Sequence, residues 1–404
     1  MTRVAGVELE PVFDSRGQPT VEATVVLSTG ARGRAGAPSG ASTGRYEAQA
    51  FPAGGVEGAL RAFRERLRPK LLGLDADLPT FDRALREADG TPNFSVVGGN
   101  TATALSVAAA LALAEEAHRP LWRFLARPGV DGTSFPAIVG NCLNGGRHAI
   151  GGPDIQEFHA VARAPRPEDA VRGALRAHAL VGEALRARHP GAALGRGDEG
   201  GWVAGIGNVD AFEVLRQACD RARDELHVDV RPGADFAASE FFRDGRYRYR
   251  EQTVDTDGQR RFVEELVDRF GLVYVEDPFE QGSLDPFAEL TRSVGDRTTV
   301  VGDDVYVTQA ERLRAGIERR ASNAILVKVN QVGTLTSTLE TVDLARAHGV
   351  ATVTSHRSGD LPEGWLAHVA LASAAWGLKC GLLGGERVAK LNELLRLARA
   401  TFPA

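Results

Sequence analysis

Four short apolar runs in the second half of the chain each end in polar or charged residues, and that pattern narrows the possible folds most. They are Val273-Tyr-Val-Glu-Asp-Pro278, Thr299-Val-Val-Gly-Asp-Asp304, Asn323-Ala-Ile-Leu-Val-Lys-Val-Asn-Gln331 and Ala351-Thr-Val-Thr-Ser-His-Arg-Ser-Gly359. An amphipathic helical stretch separates each run from the next. Parallel strands alternating with helices close into a (β/α) barrel, and such barrels carry reactive side chains where strands end. Acids at two strand ends, a lysine on the next strand and a His-Arg-Ser cluster after it point to a metal, a base and an anion in one cavity.

The chain has 404 residues, enough for a barrel plus a smaller domain. Hydrophobic residues make up 43% and charged residues 25%, the balance of a water-soluble globular protein. A net charge of −5 gives no basis for nucleic-acid or membrane binding. Cys142, Cys219 and Cys380 lie far apart and form no CxxC pair, which fits a reducing compartment and argues against disulfides or a zinc site. The start, Met1-Thr-Arg-Val-Ala-Gly6, lacks a signal-peptide apolar core, so a cytoplasmic location is expected.

Alternation in Thr20-Val-Glu-Ala-Thr-Val-Val-Leu27 predicts strands of a small sheet within residues 1 to about 50. From about 56 to 127 the pattern is helical, with an Ala-rich buried helix at Thr101 to Ala117. The segment Arg127-Pro-Gly-Val-Asp-Gly-Thr-Ser134 reads as a linker. The expected division is an α+β domain over 1–130 and a barrel over 131–404.

Asp235, Glu276 and Asp303 are the candidate metal ligands. Three carboxylates at the mouth of a barrel suit a hard, oxygen-seeking ion such as Mg²⁺, whereas any one alone is more often a solvated turn acid. Asp235 has the weakest strand context, since Val228 to Ala234 is irregular. Lys328, between Val327 and Val329, reads as a lysine on a buried strand. A dication and Lys379 nearby would lower its pKa toward what a general base needs. Alone, such a lysine is as often a structural ion pair.

The glycines of Gly197-Asp-Glu-Gly-Gly201 suggest a tight loop that holds Glu199 across a cavity from the base. Glu157 and His148 are weakly informative by themselves, and His159 is assigned no role. Ser355-His-Arg-Ser358 has the groups to hold a phosphate. Pro38-Ser-Gly-Ala-Ser-Thr-Gly44 lacks a P-loop pattern and would suit a mobile lid.

Taken together these motifs resemble the enolase family over nearly the whole chain. The matches run in order from Asp14-Ser-Arg-Gly-Gln-Pro-Thr-Val-Glu22 and Pro38-Ser-Gly-Ala-Ser-Thr-Gly44 through Asn144-Gly-Gly-Arg-His148, Asp154-Ile-Gln-Glu-Phe158, Gly197-Asp-Glu-Gly-Gly201 and Ala238-Ser-Glu-Phe-Phe242. They continue through Glu276-Asp-Pro-Phe279, Asp303-Asp304, Leu326-Val-Lys-Val-Asn-Gln-Val-Gly-Thr-Leu335 and Ser355-His-Arg-Ser-Gly359. The resemblance implies an α/β fold: an enolase-type (β/α)8 barrel, its first strands departing from simple βα alternation, behind a smaller N-terminal α+β domain. It implies elimination of water from 2-phosphoglycerate or a close analogue, with Mg²⁺ at two sites. Lys328, Glu199, Glu157 and His356 would be catalytic, with Lys328 the base at C2 and Glu199 the acid for the C3 hydroxyl. His148, Glu157, Lys379, His356, Arg357, Ser358 and Ser42 would contact the substrate. Asp235, Glu276 and Asp303 would hold the tight metal, and Ser42 would help bind the second. Glu22 and Arg396 match a pair that bridges subunits, implying a homodimer.

Departures from the family pattern leave the substrate open. Arg45-Tyr-Glu-Ala-Gln-Ala-Phe-Pro-Ala-Gly-Gly55 replaces a charged lid segment, Asp360-Leu-Pro-Glu-Gly-Trp365 replaces a run of acids, and Gly195-Arg196 stands where Asn-Val is usual. These changes predict less complete closure on 2-phosphoglycerate and slow turnover of it. A phosphonate-bearing acid is then the alternative substrate, as in carboxyphosphonoenolpyruvate synthase. A non-enzymatic role is disfavoured because every acid, base and ligand is retained. Racemase and cycloisomerase relatives lack Ser-His-Arg-Ser and Gly-Asp-Glu-Gly-Gly.

Overall fold

The computed structural model describes residues 2–41, 44–188, 190–191 and 194–401. Strands Val4–Phe13, Pro19–Leu27 and Arg32–Gly36 form an antiparallel sheet, as the alternation predicts. The Asp14 side chain starts its first turn by accepting the backbone N–H groups of Arg16 and Gln18, both at 2.9 Å. The expected Ala-rich helix is Gly99–Glu116, and small side chains let it lie close on the sheet. The closest approach is at Gly33, where a Cβ would stand 2.0 Å from the Ala108 carbonyl oxygen. Gly33→Ala is therefore expected to destabilise the fold by about 1–3 kcal/mol or more, read as a lower urea midpoint.

Eight strands close the barrel: Ala137–Asn144, Glu157–Arg163, Asp229–Asp235, Tyr274–Glu276, Thr299–Gly302, Ala324–Val327, Ala351–Ser355 and Gly377–Gly381. Closure is made by parallel pairing of the last strand with the first. The second strand runs antiparallel to both of its neighbours. No crossover helix joins it to the first strand. The helices Pro167–Arg188 and Asn208–Leu226 instead follow one another before the third. Reversal has a chemical consequence: residue Glu157, at the start of this strand, lies at the mouth where the other strands end. Register aligns Glu157 with Asp235, and Asp235 with Glu276, in one row across three strands.

Two local readings change. The third strand does form over Asp229–Asp235 despite its irregular pattern, with Pro232 inside it. Lys328 is not within a strand: the sixth strand ends at Val327, and Lys328 caps the short helix Val329–Val332. Among the described residues, no helix is long and apolar enough to cross a membrane.

Candidate active site

The mouth of the barrel holds a small, tightly filled cavity lined by His148, Glu157, Glu199, Asp235, Asp303, Lys328, His356, Arg357, Ser358 and Lys379, among others. A wider groove of about 550 Å³ lies at the other end, around Arg163, Arg346 and Trp376. No acidic side chain lines that groove among the described residues, so we place the chemistry at the acidic mouth.

Lys379 points inward from the last strand and is buried among three carboxylates. Its Nζ lies 3.2 Å from Glu157, 3.0 Å from Asp235 and 2.8 Å from Glu276. Burial opposes its charge, but Asp235, Glu157 and Glu276 together raise its pKa well above the ordinary lysine value. Glu276 moves the other way for a carboxylate. Burial, followed by repulsion from Asp235, lifts its pKa well up against the pull of Lys379, and Asp303 adds to the repulsion. An all-oxygen set of buried carboxylates, crowded enough at Glu276 to hold that one toward its neutral form, fits a hard dication, which would relieve that repulsion.

Asp303 sits beyond the fifth strand and is tied elsewhere. Lys328 Nζ is 2.5 Å from its Oδ2, and Gln331 Nε2 donates to its Oδ1 at 2.8 Å. The pKa of Lys328 is consequently raised, whereas the expected lowering supposes a dication beside it. Burial is the largest influence and pushes it down, and Arg357 and Lys379 add to that; the Asp303 anion, with Glu276 acting the same way, brings the net shift up. A dication drawing on Asp303 would weaken this upward pull. Asp277, Asp303 and Asp304 also approach one another closely. Asp277, however, spends both carboxylate oxygens on the backbone N–H groups of Asp303 and Asp304, at 2.9 and 2.8 Å, and so shapes the strand end.

Glu199 enters from the loop between Gly195–Arg196 and Trp202–Val203, whose pairing with Leu143 anchors it beside the first strand. The glycines around it are needed for packing and backbone shape. A Cβ at Gly197 would stand 2.6 Å from Asn144 Oδ1, and Gly200 adopts φ +80° against the Leu383 carbonyl. Glu199 Oε2 meets His356 Nε2 at 3.0 Å and accepts from Asn141 at 3.2 Å. Burial and Glu157 raise its pKa, but His356 and His148 prevail and hold it well below the usual carboxylate range. That is the reverse of what a proton donor needs; an anionic substrate beside it would push the pKa back up.

Glu157 is gripped from two sides, by His148 Nδ1 at 3.0 Å and by His159 Nε2 at 2.7 Å. Burial raises its pKa, but Lys379 and the two histidines keep it well below normal. His148 Nε2 reaches Ser358 Oγ at 3.3 Å. Arg357 pairs with Glu47 at 2.9 Å and donates to Asn330 at 2.9 Å. Ser42 lies outside the described residues.

Sequence reasoning missed His159, Glu47, Gln331 and Arg387. Only Arg387 carried a signal. It shares one face of helix Gly385–Thr401 with Lys390, Leu391 and Leu394, so the apolar period marks it as buried.

A closed barrel with a buried acid row, a lysine at the end of one strand and a second lysine inside another has the groups to draw a proton from a carbon beside a carboxylate and to steady the charge that forms. The enolase C-terminal TIM barrel domain matches residues 133–401, and the enolase N-terminal domain matches residues 4–125. The chain is 47% identical over 401 residues to the enolase of Methanothermobacter thermautotrophicus, covering 98% of this chain and 96% of that protein. It is 46% identical over 402 residues to the enolase of Halorubrum lacusprofundi, covering 98% and 99%. With the enolase of Thermoplasma acidophilum the identity is 39% over 392 residues, covering 97% of each. The chain belongs to the enolase family and is a hydro-lyase of the kind that family contains. Magnesium is the metal the family implies.

The comparisons give the phosphonate alternative no support, and the departures that prompted it are accommodated. After Gly44, the Arg45 N–H donates to Gln281 at 2.8 Å and Arg312 lies 3.6 Å over the Tyr46 ring. Asp360 accepts from Lys390 at 3.0 Å, and Glu363 accepts the Gly36 N–H of the N-terminal sheet at 2.9 Å. Both replacement segments thus bind to neighbouring elements.

Proposed function

We propose that the chain dehydrates 2-phosphoglycerate to phosphoenolpyruvate. The observation that carries this reading is the sharing of one cavity by Lys328, Glu199, Glu157, Asp235, Asp303 and Lys379, with Glu276 held against Lys379 at 2.8 Å. A proton α to a carboxylate is very weakly acidic, and its removal adds negative charge to that group. Lys328 takes the C2 proton, Lys379 offers fixed positive charge to the carboxylate, and Glu199 passes a proton to the departing C3 hydroxyl. Bound Mg²⁺ would supply further electrostatic stabilisation of that charge, held by Asp235, Glu276 and Asp303, with a second ion near Ser42. Glu157, with His148 and His159 bonded to it, keeps the acid side of the cavity polarised. His356 orients Glu199, while Arg357, Ser358 and His148 meet the phosphate end.

The same reading places the lid and capping role before about residue 130 and the chemistry after it, in a cytoplasmic homodimer bridged by Glu22 and Arg396. The test is phosphoenolpyruvate formation from 2-phosphoglycerate with saturating Mg²⁺. Turnover in the ordinary enzyme range, about 1–10³ s⁻¹, is expected. No turnover of that acid, with elimination from a phosphonate analogue, would overturn the substrate assignment.

A further inference from the structure

Arg387 is completely buried beneath the catalytic turns. A guanidinium in that position must find acceptors for its fixed donors. Its terminal nitrogens find four: His356 Nδ1 at 2.7 Å, the Arg357 carbonyl at 2.6 Å, the Ser358 carbonyl at 2.5 Å and the Asp198 carbonyl at 3.0 Å, while its Nε lies 3.1 Å from Glu386 Oε1. Three of these tie the Glu199 loop to the His356 turn, and a purely structural clamp would need no more. The fourth is different, because it falls on a titratable ring.

Arginine has no acceptor atom, so Nδ1 of His356 must be the lone-pair nitrogen. The Gly381 backbone N–H points at the same atom, at 3.4 Å. The ring proton is then on Nε2, directed at Glu199 Oε2 at 3.0 Å. From this geometry we infer that Arg387 is a positioning residue for the elimination: it fixes His356 as the neutral Nε2–H tautomer and thereby aims a hydrogen-bond donor at the carboxylate of Glu199. The charged groups around the ring are Glu199 and Asp360, which favour imidazolium, and Arg387, which disfavours it. Burial acts first in keeping the ring neutral, and the permanent guanidinium charge reinforces it. The effect on rate rests on the reading of Glu199 as the acid. The tautomer does not, and it can be observed without turnover.

The test is nitrogen NMR of histidine-labelled protein, with the His356 signals assigned by their loss in His356→Gln. In the unmodified chain a lone-pair Nδ1 and a protonated Nε2 are expected from about pH 6 to 8, around the ordinary histidine pKa. An Nδ1–H tautomer there would overturn the inference even if no Arg387 variant folded. Arg387→Met should raise the histidine pKa, move the acid limb of the kcat profile to higher pH and lower kcat by about 10–100-fold, with little change in KM. Arg387→Lys, which keeps a cationic donor, should restore most of the tautomer and the profile. A folded Arg387→Met protein with unchanged ring signals and pH profile would reduce Arg387 to a structural clamp.

Discussion

Replacing Asp303 by alanine is expected to abolish useful turnover at ordinary Mg²⁺ and to weaken Mg²⁺ binding by at least about 100-fold. Even partners outside the ligand shell typically cost 10–100-fold, and this carboxylate is assigned to the shell itself. The substitution also frees Lys328 from its ion pair, so lost activity alone would be ambiguous. Asp235→Ala separates the two effects, because Asp235 pairs with Lys379 whereas the ion pair of Lys328 is with Asp303. Calorimetric Mg²⁺ titration of both variants should show the loss. Normal turnover of Asp303→Ala at limiting Mg²⁺ would show that the metal is held elsewhere.

Replacing Lys328 by alanine is expected to lower kcat by about 10²–10⁴-fold, the contribution of a positioned general base. Substrate affinity should change far less, since Lys379, Arg357 and the acid row remain in place. Steady-state kinetics with 2-phosphoglycerate reads both quantities. A fall in affinity with kcat unchanged would make Lys328 a binding residue and leave the base unassigned.

The barrel was legible where an apolar run ended in charge. Thr299–Gly302 before Asp303 and Ala351–Ser355 before His356 are strands as expected. Direction was not legible from periodicity: nothing in residues 157–163 says that this strand runs backwards, although that reversal brings Glu157 to the mouth. The residues proposed for chemistry could be named from spacing and resemblance, yet their pairings depend on which neighbours folding supplies. Lys328 shows this best. Its pKa is raised because Asp303, twenty-five residues away, lies against its ammonium, whereas the expected lowering supposes a dication drawing on that carboxylate. The partners of the segments after Gly44 and Gly359 were equally out of reach of the sequence, since Arg45 and Glu363 bond to residues far along the chain, Gln281 and Gly36.

The account's central claim is that Lys328 removes the C2 proton before Glu199 assists loss of the hydroxyl. Exchange of the C2 hydrogen of 2-phosphoglycerate with deuterated solvent tests it most directly, followed by NMR in Lys328→Ala and Glu199→Gln beside phosphoenolpyruvate formation. Glu199→Gln is predicted to keep exchanging while product formation collapses, and Lys328→Ala to lose both. Equal loss of exchange in the two variants would contradict the division of roles.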